Sequence, residues 1–227
     1  GLSHQGVLAA VSTELKRPPS ELRIASCHIG SGASVCAIDR GRSVDTSMGM
    51  TALEGLVMGT RCGDLDPGVP GFVARALGLT LAQIEAALYS DSGLKGLSGE
   101  SSDLRIVEKR AGEGVGAAQL AMQVHAYRVR KYIGAYAAAM GGCDAVAFTG
   151  GAGENSAALR RRIVDGLEFI GLELDEERNR AYSPNTEVAQ LQSSRSAVAV
   201  LVVQAREQLA IARETFRALN DQASGLV

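Results

Sequence analysis

Residues 44–67 read VDTSMGMTALEGLVMGTRCGDLDP, and no regular core element accommodates such a run. Four glycines, several hydroxyls, Arg61 and the carboxylates Asp45, Glu54, Asp64 and Asp66 are spread among a few apolar residues. This composition suits a backbone that turns tightly and presents polar groups. An arginine in a Gly-rich loop can clamp a phosphate or a carboxylate, because its fork is planar and always charged. The alternative is a surface arginine paired with Asp64 or Asp66. Asp45 and Glu54 fit the holding of water or a neighbouring loop rather than a reaction. Whatever the fold, it has to be built around a long irregular polar segment.

The flanking sequence supplies the regular elements. Apolar residues at helical spacing over 6–15 are stopped by Pro18 and Pro19. LRIASCHI (22–29) and ASVCAI (33–38) read as strands joined by Gly30-Ser31-Gly32, and residues 39–42 turn the chain into a short third strand at 43–46. That is an antiparallel meander, not a βαβ crossover. Short helices are expected over 71–77 and 81–89, then a polar Gly/Ser-rich loop over 91–102, with helix resuming at 107–110. Residues 117–140 form a long Ala-rich helical run ended by Gly141-Gly142. DAVAF (144–148) is a buried strand, 149–155 a Gly-rich loop, and 156–166 a basic helix. AVAVLVV (197–203) is a further strand, and residues 206–219 a closing amphipathic helix, with the chain fraying beyond 221. A meander followed by alternating helices and strands makes one α/β domain.

Composition closes off some functions. A formal net charge of −2 gives no electrostatic reason to expect nucleic acid or an anionic membrane. Apolar runs break well short of the ~20 residues of a spanning helix. Cys27, Cys36, Cys62 and Cys143 show neither CxxC nor zinc-type spacing, so they read as reduced thiols of a cytoplasmic protein. With aromatics at 4% and no Trp, the core must be filled by Ala, Val, Leu and Ile.

Four further segments carry candidate chemistry. His28, Ile29, Gly30, Ser31 and Gly32 lie between two strands, where closely spaced glycines let backbone N–H groups converge on an anion; an ordinary hairpin turn is the alternative. The segment is not a P-loop, since no Gly-Lys-[Ser/Thr] follows and the next element is a strand. Gly151, Ala152, Gly153, Glu154 and Asn155 follow a strand and precede a helix, the position where open α/β sheets bind ligands; a loop that merely needs positive φ is the alternative. Asp103, Leu104 and Arg105 open a helix, as an N-cap or a nucleotide contact. Glu207 begins the last helix, either as a Mg²⁺ ligand or as a carboxylate favoured by the helix dipole. His125 reads as structural.

Taken in order, CHIGSGAS, VDTSMGMTALEGLVMGTRCGDLDP, SGESSDLR, FTGGAGENS and EQLAIARET resemble the acetate kinase family over nearly the whole chain. The resemblance implies the ribonuclease-H-like fold of the actin/hexokinase superfamily. It implies reversible ATP-dependent phosphotransfer to acetate, giving acetyl phosphate and ADP. By position, residues 28–32 would contact phosphates, 103–105 and 151–155 adenosine, Glu207 Mg²⁺, and Arg61 the transferring phosphoryl group. It further implies a homodimer, for which the helix over 117–140 is a candidate seam; a central core helix is the alternative.

Three departures bear on these expectations. Ser31 stands where the family usually has Asn, supplying one donor where an amide supplies two. Cys62 stands where Ser is usual, which predicts a less firmly placed Arg61. Gly1-Leu2-Ser3-His4 matches the end of a Phe-His-Gly-Thr-Ser-His-type segment whose essential His would precede Gly1. Residues 1–227 are accordingly expected to be the single C-terminal nucleotide-binding domain of a two-domain kinase, without its N-terminal domain and inactive alone. A non-catalytic nucleotide-binding module and a kinase for propionate or butyrate are the competing readings.

Overall fold

The computed structural model of the chain describes residues 1–224. Its elements in chain order are α1 (Leu2–Leu15), β1 (Arg23–Ile29), β2 (Ala33–Asp39), β3 (Arg42–Thr46), α2 (Gly68–Leu77), α3 (Leu81–Ser90), α4 (Gly93–Ser98), α5 (Leu104–Gly112) and α6 (Gly116–Ala139). They continue with β4 (Ala145–Thr149), α7 (Gly150–Asn155), α8 (Ala157–Val164), α9 (Glu176–Ala181), β5 (Val188–Gln190), β6 (Ala199–Val203) and α10 (Glu207–Ser224).

The strands form one sheet in the order β3-β2-β1-β4-β6-β5. β1 and β2 pair antiparallel, with Ile29 opposite Ala33, so the 28–32 hairpin closes in the shortest way the register permits. β1 also pairs parallel with β4, placing His28 opposite Thr149, and β4 pairs parallel with β6, placing Phe148 opposite Val202. The carboxyl ends of β1, β4 and β6 therefore emerge along one edge of the sheet. β1 is the switch strand, antiparallel to one neighbour and parallel to the other. This is the expected ribonuclease-H-like arrangement.

Both faces of the sheet are covered, which is why its central strands read as near-continuous apolar runs. Ala25, Cys27, Val146, Phe148, Val200 and Val202 face α6 and its neighbours. The alternate residues Ile24, Ala145, Ala147, Leu201 and Val203 face α1, which contributes Val7 and Val11. α6 buries Ala118, Ala121, Met122, His125, Val129 and Ile133 at three- and four-residue intervals. Its small residues let the helix approach the sheet closely. α6 is thus a core helix along one face, and its outward stripe keeps Leu120 and Tyr127 exposed.

Four expectations are corrected. Residues 91–102 are not all loop, because Gly93–Ser98 is helical. Gly93 enters that helix at φ 61° with Met58 O only 2.2 Å from where a Cβ would stand, so a close backbone approach fixes its start. Residues 150–155 are likewise a short helix rather than a loop. α9 and the edge strand β5 are additions, lying where no element was expected. α1 begins at Leu2, and α10 continues to Ser224, past the expected end at Leu219; residues 225–227 lie outside the described residues. Among the described residues no single helix is long and apolar enough to cross a membrane. Cys27 and Cys36 are buried, Cys62 and Cys143 half-buried, and all four are free.

Candidate functional site at the carboxyl ends of the parallel strands

The hairpin at the end of β1 is the centre on which the other segments converge. It is closed by Gly30 N–H donating to Gly32 O at 2.9 Å. Ile29 is fully buried, so only its backbone is available to a ligand. His28 is held from α1, its Nδ1 lying 2.8 Å from Ser3 Oγ. On one side stands Gly150, at φ +80°, where a Cβ would lie 2.9 Å from Ile29 O and 3.1 Å from His28 Nε2. On the other stands Gly59, whose N–H donates to Ser31 O at 3.1 Å. A Cβ on Gly59 would meet Ser102 O at 2.9 Å and Ser31 O at 3.2 Å. Gly59 is thus the contact point of three segments: the hairpin, the 44–67 loop and the approach to α5.

The Arg61 guanidinium lies over Gly32, with Nη2 3.6 Å from the position of an added Cβ. Its Nη1 donates to Ala52 O at 3.1 Å and sits 3.3 Å from Met58 Sδ. It pairs with neither Asp64 nor Asp66. Asp64 instead accepts from Gly55 N–H at 2.9 Å and from Tyr132 OH at 3.0 Å. A cation beside a glycine hairpin and without a carboxylate among the described residues is arranged for an external anion. Cys62 does not hold Arg61: its thiol donates to Gly63 O, and burial pushes its pKa up. The expected loosening of Arg61 through Cys62 therefore has no contact to act through. Asp45 holds a neighbouring element, its Oδ1 being 3.4 Å from Tyr136 OH on α6.

Asp103 caps α5, accepting from Arg105 N–H at 2.9 Å, and pairs with the Arg105 guanidinium at 2.6 Å. The Arg105 hydrogen bonds pull its carboxyl down to about 2. Leu104 between them is buried. α5 is tied to the start of α8 by Ser156 Oγ donating to Glu108 Oε1 at 2.5 Å. In α7, Gly151 faces open space and Gly153 packs on Phe148. Asn155 Nδ2 donates to Gly151 O at 2.8 Å. The Glu154 carboxylate turns inward: Oε1 accepts from Gly150 N–H and from Ala205 N–H, both at 2.9 Å. One carboxylate oxygen thereby links the end of β4 to the turn that carries Glu207.

Glu207 is exposed at the first position of α10. Among the described residues no three His, Cys, Asp or Glu cluster as a metal cage. A lone exposed carboxylate still fits Mg²⁺, which typically takes one or two carboxylates and completes its shell with phosphate oxygens and water. The hairpin, Arg61, Gly59 and Gly150 are brought into contact; Asp103 to Arg105 join them through Ser102, and Glu207 only through Glu154 and Ala205.

One residue with a part in the site escaped the sequence reading. Arg160 is 1% exposed, and its guanidinium donates to Gly153 O at 2.8 Å, Glu154 O at 2.7 Å and Asn179 Oδ1 at 2.8 Å. It lies over the Tyr182 ring at 5.3 Å. Burial lowers its pKa to about 10, so it remains charged and caps the carbonyl end of the glycine-rich helix.

A sheet of this order, with glycine-rich segments and, among the described residues, an arginine without a carboxylate partner along the carboxyl edge, defines a domain of the ribonuclease-H-like class. Comparison with known proteins narrows the class. The chain belongs to the acetokinase family, whose profile matches residues 1–213. It is 49% identical over 219 residues to the acetate kinase of Heliobacterium modesticaldum, an alignment covering 96% of this chain and 54% of that protein. It is 43% identical to the acetate kinase of Methanosarcina thermophila, covering 95% and 52% respectively. The crystal structure of Porphyromonas gingivalis acetate kinase superposes with a TM-score of 0.92 at 43% identity, over 96% of this chain and 54% of that one. A propionate kinase from Francisella tularensis gives 0.86 at 36% identity, over 94% and 53%. The chain thus spans about half the length of the relatives it matches.

Proposed function

We propose that this chain is the nucleotide- and phosphate-binding half of an acetate kinase, acting with a second domain. The observation that carries this reading is the Arg61 guanidinium, free of carboxylates and laid over the 28–32 hairpin. In the proposed reaction the γ-phosphoryl group of ATP passes to a carboxylate oxygen of acetate, breaking the bond to ADP and forming acetyl phosphate. Charge gathers on the equatorial oxygens during transfer, and a fixed guanidinium stabilises it without reorganising. The hairpin N–H groups and Ser31 receive the phosphates. Asp103 to Arg105 and the open face at Gly151 to Asn155 bracket the adenosine, with Glu154 acting through its backbone. Glu207 would hold Mg²⁺, which supplies charge neutralisation between phosphate oxygens when bound. A homodimer and a cytoplasmic setting, where ATP is present and free thiols persist, belong to the same reading.

Titration of the purified chain with ADP and ATP by calorimetry tests the binding half. Saturable binding with Kd below about 1 mM is expected, with no acetyl phosphate formed by the chain alone. Absence of binding at that level overturns the reading. Acetate and propionate offered to the whole protein that carries this chain then separate the two acyl specificities.

Gly59→Ala provides an internal check. The new methyl meets two backbone oxygens, neither of which can swing away, so the hairpin and the 102–105 segment must part. Overpacking of this kind costs about 1–3 kcal/mol. ADP affinity is expected to fall about tenfold or more. Unchanged affinity would place the nucleotide elsewhere.

A further inference from the structure

We propose that a polar stripe on α6, formed by His125, Arg128 and Tyr132, is the positioning device for Arg61. The proposal rests on the phosphotransfer reading given above and adds to it residues that touch neither nucleotide nor phosphate.

These three residues fall on one face of α6, at intervals of three and four. All three reach the irregular loop that carries Arg61. His125 Nδ1 lies 2.8 Å from Val57 O, four residues before Arg61. A carbonyl only accepts, so Nδ1 carries the proton. Nε2 is then the buried acceptor left without a partner. Burial lowers the His125 pKa, which keeps the ring neutral and the donor fixed on Nδ1. Three residues after Arg61, Asp64 is gripped twice. Arg128 Nη2 donates to its backbone O at 2.7 Å, and Tyr132 OH donates to Oδ2 at 3.0 Å. Burial and the Asp64 carboxylate push the Tyr132 pKa up to about 12, so the hydroxyl stays a donor.

The gripped segment is itself closed. Asp64 N–H donates to Gly55 O at 3.0 Å and Asp64 Oδ1 accepts from Gly55 N–H at 2.9 Å. Within it, Met58 N–H donates to Arg61 O at 3.1 Å. Gly55 and Gly63 leave no slack: a Cβ on Gly55 would stand 2.0 Å from Ser47 O, and one on Gly63 2.6 Å from Gly55 O. Arg61 is therefore the projecting side chain of a closed ring, and α6 holds that ring on both sides of it. The guanidinium itself has little else to fix it, namely Ala52 O and the Met58 sulfur. Its direction is set by the ring, and the ring by α6. A displacement of about 1 Å at such a group can cost 10²-fold in rate.

Tyr132→Phe is the test, because it deletes one half-buried hydroxyl and leaves the packing of α6 intact. In the whole protein, kcat for ATP formation from acetyl phosphate and ADP is expected to fall about tenfold, with KM for ADP unchanged within about twofold. The same substitution in an Arg61→Ala background should have no further effect on the residual rate, since its route runs through Arg61. A tenfold loss in both backgrounds, or no loss in either, overturns the proposal. A readout independent of turnover is the Arg61 Nε–H resonance of the chain, assigned by its disappearance in Arg61→Ala. It should shift or broaden in Tyr132→Phe and in Arg128→Met. An unmoved resonance overturns the proposal whatever the activity. A moved resonance in a protein without phosphotransfer leaves the positioning intact and overturns the functional reading alone. Should Arg128→Met fail to fold, Tyr132→Phe still decides.

Discussion

Arg61→Ala is expected to lower phosphoryl transfer about 10³-fold while leaving ADP affinity within about threefold. The magnitude follows from where the charge acts. In the proposed reading nucleotide binding draws on the hairpin, the α5 cap and the glycine-rich helix, none of which needs the guanidinium for its own structure. Arg61 donates to one backbone carbonyl, Ala52 O, so removing it strips little from the folded state. What is lost is a fixed cation that interacts most strongly with the charge-dispersed transition state. Such a loss appears in kcat and kcat/KM together rather than in KM. Arg61→Lys should recover only part of the rate, because a point charge cannot span two oxygens as the planar fork does. Steady-state kinetics in both directions on the whole protein checks this. A raised KM for ADP with kcat untouched would make Arg61 a ground-state anchor and remove the argument for its catalytic role.

The parts of this site that were legible in the sequence are those fixed by local rules. The β1–β2 meander announces itself because Gly30 to Gly32 and Arg40-Gly41 punctuate two apolar runs of strand length, and the apolar run ending at Val203 can hardly be anything but a buried strand. The irregular segment 44–67 was legible for the opposite reason, since its polar and glycine content suits no regular element. What stayed hidden is held by tertiary contacts. GGAGEN is a poor helix by propensity, each glycine costing about 1 kcal/mol against alanine. It is helical here because Arg160 takes its last carbonyls and Glu154 takes the Gly150 N–H. Arg160 was masked by its neighbours: in Arg160-Arg161-Arg162 the last two are surface residues, and the run reads as a solvated face. Leu159, Ile163 and Val164, all buried, mark the side of α8 on which Arg160 falls. Glu154 illustrates a different limit. Its position in the glycine segment suggests a nucleotide contact, yet its side chain is spent on two backbone donors, one from each of two turns. Only the pairing of β4 beside β6 brings those donors together.

Acidification from pH 7 to pH 4 is expected to remove about 3 kcal/mol of stability through His4 alone. His4 lies at the buried interface of α1 and the sheet, its Nδ1 2.7 Å from Ser26 Oγ on β1 and its Nε2 3.0 Å from Ser34 Oγ on β2. Burial, with a smaller contribution from nearby charge including His28, lowers its pKa from 6.5 to about 4. The sign follows from proton uptake. Between these two values the unfolded chain binds a proton at His4 that the folded chain refuses, so stability falls as pH falls. The contribution is fully present above pH 6.5 and is lost on descending through the folded value near 4. His125, whose pKa burial also lowers, adds a loss of the same sign. The two are separated by His4→Gln, which does not titrate and whose amide can both donate and accept between the two serines. Urea unfolding of the chain at pH 7 and pH 4 should show the larger drop in the parent, and the difference between parent and variant isolates His4. Equal drops would mean that the ring admits its proton without leaving the serines, and that α1 is not pinned to β1 and β2 by a neutral histidine.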